Sequence, residues 1–259
     1  MTTFTKTLIA AAALALTGMA GAASTQIKYV KEDPAGLGVN VTGSDDINIG
    51  RMLFATQGGP SFYAYCVELA QSTSSSYQRY TVGSFDGAQA RNLQGLFSAT
   101  SLYTGDKSID TAAEYAAFQV AVWEITHETG STLDVAGFDP RQVTVTTGHG
   151  RNKQTTTSTV WDSNTDRGSF YVQEYLGSGY SNSNGKTAAF AGLANSYLHD
   201  AGSYSGRDLF SVTKLSNGSY QDFVTVTALP VPEPTTYALM MAGLLAVGFV
   251  SKRRRQAKA

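Results

Sequence analysis

One cysteine, three histidines and no basic run inside the body of the chain set the first limits on this 259-residue sequence. A single thiol, Cys66, cannot close an internal disulfide, and an odd thiol in an exported chain is either partnered in another way or reactive. The few acidic residues near one another, Glu128, Asp134 and Asp139, follow no ligand spacing, so no metal site and no cofactor are expected. A recognisable nucleophile motif is missing and no oxyanion element stands out, which ranks a cysteine hydrolase using one of the three histidines last among the function classes. The one dense basic run is Lys252 to Arg255, at the C-terminal end. Setting aside the six Lys and Arg and the one Glu of the terminal segments turns 19 basic and 20 acidic residues into 13 and 19, a body near −6. That balance leaves no basic stripe and argues against nucleic acid as a partner. Internal repeats are not evident.

The ends carry addresses. Lys6 is the only charge in the first segment, Leu8 to Leu16 is an unbroken apolar core, and Ala20-Gly21-Ala22 fits a small-x-small cleavage site. This order predicts a secretory signal over residues 1–22. At the other end Val231-Pro232-Glu233-Pro234 precedes an uncharged stretch, Thr235 to Val250, and then Lys252, Arg253, Arg254 and Arg255. Those 16 residues reach ~24 Å as a helix, near the lower limit for a membrane span. The basic cluster would stay cytoplasmic, with the body outside. Pro232, Glu233 and Pro234, a short span and the arginine stop resemble the PEP-CTERM sorting signal of Gram-negative bacteria over residues 230–259. The resemblance implies an exosortase as processing partner, transient anchoring in the inner membrane, and a destination at the cell surface or in an exopolysaccharide and biofilm matrix. A plain C-terminal anchor is the alternative.

The body, residues 23–229, is long enough for a sizeable core. Five β-rich runs come first: Gln26 to Lys31, Val39 to Thr42, Ile47 to Thr56, Phe62 to Leu69 and Tyr77 to Val82. Gly, Ser, Asp and Pro separate them, as in antiparallel sheets. Helical spacing follows over Gly87 to Leu102, then from a cap at Asp110-Thr111 through His127. The Thr-rich stretch 144–166 reads as a hairpin or an exposed loop. Lys186 to Asp200 reads as a third helix, and Asn217-Gly218 separates two final strands. The expectation is an α+β fold, one mixed domain with an antiparallel sheet or barrel part and an inserted helical part.

Cys66 falls on a predicted strand, and Gln119 on an otherwise apolar predicted helix 53 positions later. A thiol attacking a glutamine amide expels ammonia and leaves an internal thioester. Tyr65-Cys66, followed by Phe118-Gln119-Val120-Ala121-Val122-Trp123, resembles the thioester domains of bacterial surface adhesins. That family carries an aromatic-Cys element and a Thr-Gln-x-Ala-apolar-Trp element; Phe118 stands here where the threonine is usual. The resemblance covers about residues 47–129 and implies a Cys66–Gln119 cross-link between a β-rich and a helical part. It also implies capture of a surface nucleophile, an amine or hydroxyl on a protein or polysaccharide, in a single turnover rather than enzymatic catalysis.

The residues themselves meet some needs of that chemistry. Positioning of the reacting pair is worth ~7–11 kcal/mol of barrier. Trp123 lies one turn beyond Gln119 on the same helical face, and Tyr65 or Tyr63 could wall the other side. No general base is identifiable: Glu124 and His127 face partly away from Gln119, and His149 and His199 cannot be placed. Against this stands the ordinary behaviour of a lone cysteine as a small buried hydrophobe. A non-covalent matrix protein, whose 14 tyrosines and two tryptophans stack on polysaccharide, is the second function class.

Overall fold

The computed structural model describes residues 23–33, 37–100, 109, 111–148, 150–164, 168–176, 184–230, 239–245 and 247. In chain order, β1 (Ser24–Asp33), β2 (Gly38–Val41), β3 (Ser44–Asn48), β4 (Arg51–Thr56), β5 (Ser61–Cys66) and β6 (Gln78–Gly83) precede α1 (Gly87–Ala99) and α2 (Ala112–His127). Then come β7 (Phe138–Thr147), β8 (Gln154–Ser163), β9 (Val172–Tyr175), α3 (Asn184–Ser203), β10 (Phe210–Ser216) and β11 (Phe223–Ala228).

Six strands close a barrel in the order β1-β4-β5-β11-β10-β6. Alternation along each strand sends one set of side chains inward: Ile27, Phe54, Tyr80, Leu215 and Phe223 are all buried. The Phe54 ring lies 4.4 Å from Phe223 and 5.8 Å from Phe62, which fills the interior with aromatic contacts. The helical part sits between β6 and the last barrel hairpin in sequence. The expected combination of mixed helix and strand content with a barrel is therefore what the chain forms.

Two strand expectations need correction. Ile47 to Thr56 is not one strand, because the chain breaks at Gly50, whose φ of 140° is open only to glycine at low cost. The break assigns β3 to a separate sheet, β3-β2-β9, and β4 to the barrel. The run from Phe62 likewise ends at Cys66 instead of continuing to Leu69. The Thr-rich stretch is a hairpin, the first of the two readings, with Thr144–Thr157 and Thr146–Thr155 hydroxyl pairs across β7 and β8 at 3.0 and 3.2 Å. Between β10 and β11 the Asn217 side-chain oxygen accepts from the N–H groups of Ser219 and Tyr220, which builds a longer turn than a two-residue hairpin.

Helix α2 starts on a reciprocal cap. The Thr111 hydroxyl accepts from the Glu114 N–H at 3.3 Å, and the Glu114 carboxylate accepts from the Thr111 N–H at 2.8 Å. From Ala116 to Ile125 every side chain of α2 is buried, so this is a core helix rather than a surface one. Phe118 joins the layers: its ring lies 4.7 Å from Tyr65 on β5, 5.0 Å from Phe97 on α1 and 6.2 Å from Tyr197 on α3.

The chain divides into a unit of residues 1–227 and a unit of residues 228–259. In the second, residues 239–245 and 247 are helical. Among the described residues no helix is long and apolar enough to cross a membrane. The expected secretory signal at 1–22, the Asp110 cap residue, Pro232, Glu233, Pro234 and the Arg253–Arg255 stop lie outside the described residues, as does part of the expected 235–250 span.

Candidate functional site

Strand β5 delivers Cys66 to the point where its neighbour gives out. Met52 on β4 pairs with Ala64, so the same register would set Gly50 opposite Cys66, but β4 begins only at Arg51. The Gln119 side chain takes the vacant ladder position. The Cys66 N–H donates to Gln119 Oε1 at 2.9 Å, and Gln119 Nε2 donates to the Cys66 carbonyl at 2.8 Å. Cys66 and Gln119 are each 1% exposed. On the opposite edge Cys66 pairs with Phe223, and the Val67 N–H donates to the Asp222 carbonyl at 2.9 Å. The structure thus brings together the two residues singled out in sequence, with the acyl group of one docked on the main chain of the other.

The thiol turns the other way from the helices. Cys66 Sγ lies 3.6 Å from Met52 Sδ, on the inward face shared with Ala64 and Phe223. Burial pushes the thiol pKa well up, and the Glu32 carboxylate adds to the same effect. Tyr65, the preceding residue, faces outward and packs on Phe97 and Phe118, so it sits on the opposite face of β5 from the thiol. Trp123 is completely buried one turn beyond Gln119, and its indole N–H has no hydrogen-bond partner among the described residues.

Near the site, His127 is engaged. Its Nε2 lies 2.7 Å from the Val67 carbonyl, an acceptor, so that nitrogen carries the proton and donates. The ring also stacks on Phe170 at 5.9 Å. His199 is exposed beside Asp200, 3.8 Å away, and His149 lies outside the described residues. Glu124 is fully buried on α2, accepts from the Asp134 N–H at 2.9 Å, and has its carboxyl pushed up to about 8, chiefly by burial. Among the described residues no group of three His, Cys, Asp or Glu side chains is placed to hold a metal ion. Met52 is a contact that sequence reasoning missed. Ile49 is buried at an odd position and Met52 and Phe54 at even ones, but the unbroken apolar run Met52-Leu53-Phe54 hides that change of phase in the sequence.

Residues 230–255 match the PEP-CTERM protein-sorting motif. No curated protein and no solved structure matches this chain. The motif marks an exported protein that an exosortase recognises and sorts to the cell envelope.

Proposed function

We propose that the exported body of this protein holds an internal thioester between Cys66 and Gln119 and uses it to capture an amine or hydroxyl nucleophile covalently, at the cell surface or in the extracellular matrix. The observation that carries this reading is the paired hydrogen bonding of the Gln119 amide to the Cys66 main chain. It holds the acyl carbon beside the one residue in the chain that bears a thiol. The Cys66 N–H already points at Gln119 Oε1, where negative charge develops when sulfur adds to the carbonyl. A preorganised donor at that atom stabilises the tetrahedral intermediate without reorganising in the reaction. Burial of both residues excludes the water that would hydrolyse the bond.

The thiol must first turn from Met52 toward the docked amide; attack by Sγ on Gln119 Cδ and departure of Nε2 as ammonia then give the thioester. A later nucleophile adds to the same carbon and releases the Cys66 thiol. Sorting by an exosortase, with transient anchoring in the inner membrane, would present the loaded domain outside the cell. Intact-mass measurement of the mature protein tests this: wild type should be light by one ammonia, and methylamine should add its own mass. Cys66→Ala and Gln119→Ala should both carry their full calculated masses. A wild type at full mass abolishes the reading. It would leave Gln119 as a polar plug for an incomplete ladder, which the satisfied hydrogen bonds also suit, in a non-covalent matrix protein.

A further inference from the structure

We propose that Glu32 is the group that takes the thiol proton from Cys66 when the thioester closes and passes it to the departing ammonia. The inference rests on the Cys66–Gln119 reading above and supplies the proton acceptor that the sequence left unidentified.

The register of β1 is the origin of this placement. Tyr29 pairs with Phe54 and Lys31 with Leu53, so Val30 is an extra residue, a bulge. Without it, Lys31 would share the inward face with Tyr29 and Glu32 would face solvent. With it, the alternation shifts by one: Val30 and Lys31 are exposed, and Glu32 pairs with Met52 on the inward face. Met52 in turn holds its sulfur 3.6 Å from Cys66 Sγ. Glu32, Met52 and Cys66 therefore occupy one face on three adjacent strands, β1, β4 and β5. A charged residue aimed inward by a bulge costs stability unless it has a task, and bulges recur beside active sites.

The surroundings suit a proton acceptor. Burial raises the Glu32 carboxyl above the usual carboxylate range, and a hydrogen bond from the Asn48 side chain opposes that shift. The Glu32 charge is felt at the thiol, where it adds to the upward shift that burial produces. Among the described residues, the other ionisable groups that bear on this interior are Tyr29 and Tyr80, whose hydroxyls burial shifts further toward the neutral form, and Asp222, whose charge acts on Tyr80. Asp222 is committed to Lys214 at 3.5 Å and to the Asn217 N–H at 2.8 Å. On β1 itself, Asp33 pairs outward with Arg51 and the Tyr63 hydroxyl. The step balances: the S–H proton moves to the carboxylate, the S–C bond forms at Gln119 Cδ, the C–N bond breaks, and Nε2 leaves with its two hydrogens and the proton returned by Glu32.

The test uses full-length chain made as insoluble, unfolded protein, so that the Gln119 amide is intact at the start. Dilution into buffers from acid to mildly alkaline pH starts folding, and intact mass follows ammonia loss with time. Wild type should react faster as pH rises through a single titration centred above the ordinary glutamate value. Glu32→Gln should slow the reaction about a hundredfold or more, the usual worth of a positioned base, and erase that titration. Asn48→Ala, which removes the bond favouring the charged carboxylate, should move the midpoint to higher pH. Glu32→Gln reacting at the wild-type rate with the wild-type profile overturns the assignment while leaving the thioester intact. If Glu32→Gln does not fold, by circular dichroism, an unmoved midpoint in Asn48→Ala overturns it equally. A wild type that never loses ammonia removes the thioester itself, a distinct outcome.

Discussion

Gln119 and Glu124 stand five positions apart on α2, both sealed from water, and they meet the cost of burial in different ways. Gln119 is neutral and exchanges two hydrogen bonds with one residue, so both ends of its amide are satisfied. Glu124 accepts one bond, from the Asp134 N–H, and its second oxygen has no partner among the described residues. Burial, with the nearby charges of Glu128 and Asp134, shifts its carboxyl from the ordinary 4.5 to about 8, so the folded protein keeps it protonated at neutral pH. The sign follows from linkage. The fold binds this proton more tightly than the unfolded chain, so the stabilisation is complete below 4.5 and falls as pH rises toward about 8. The slope for one proton is at most about 1.4 kcal/mol per pH unit. Glu124→Gln should flatten that decline and make the variant more stable than wild type at pH 8, read as urea midpoints across pH. Parallel curves for the two proteins would show that Glu124 is charged in the fold.

Between elements, backbone approach decides what the helices tolerate. A Cβ built on Gly95 of α1 would sit 2.4 Å from the Ala201 carbonyl of α3, so those helices touch main chain to main chain. Gly95→Ala must push them apart and should destabilise by roughly 1–3 kcal/mol, the usual cost of overpacking. Gly192→Ala, at an exposed position of α3 with open space around it, should instead stabilise by about 0.5–1 kcal/mol through helix propensity. Thermal midpoints moving in opposite directions are the expected result; equal shifts would contradict the close packing. Much at this scale was legible in the residues. The α2 cap shows as Thr111 with Glu114 three residues on, and the helix follows the apolar run to His127. Other elements were not legible. Strand β9 spans four residues, too few for a pattern, and becomes a strand because β2 offers an edge. The bulge at Val30 leaves no composition signal, because β-branched valine suits either face of a strand.

At the scale of the whole chain, the sorting motif and the folded body pose separate questions. Glu233→Ala should leave the precursor unprocessed in a host with the matching exosortase, whereas wild type should lose its tail, as judged by peptide mapping of the mature exported protein. Recovery of peptides from Leu239 to Val250 in mature wild type would show that the tail is retained. The motif was readable because three features stand in order within one short segment, and no folding partner is needed to recognise it.

By itself, the sequence determined what is local: the sorting address, the helix with its cap, the barrel strands with clear alternation, and the identity of Cys66 and Gln119 as the candidate pair. Local spacing and residue type decide such features. Tertiary structure alone decided that β4 stops one residue short of Cys66, so that a side-chain amide completes the ladder. It alone set the thiol inward, beside Met52, and Tyr65 outward under the helices. Those facts depend on which residue faces which across strands far apart in the chain. Register is fixed by the sum of cross-strand packing and by single interruptions such as Val30 and Gly50, which no local window contains.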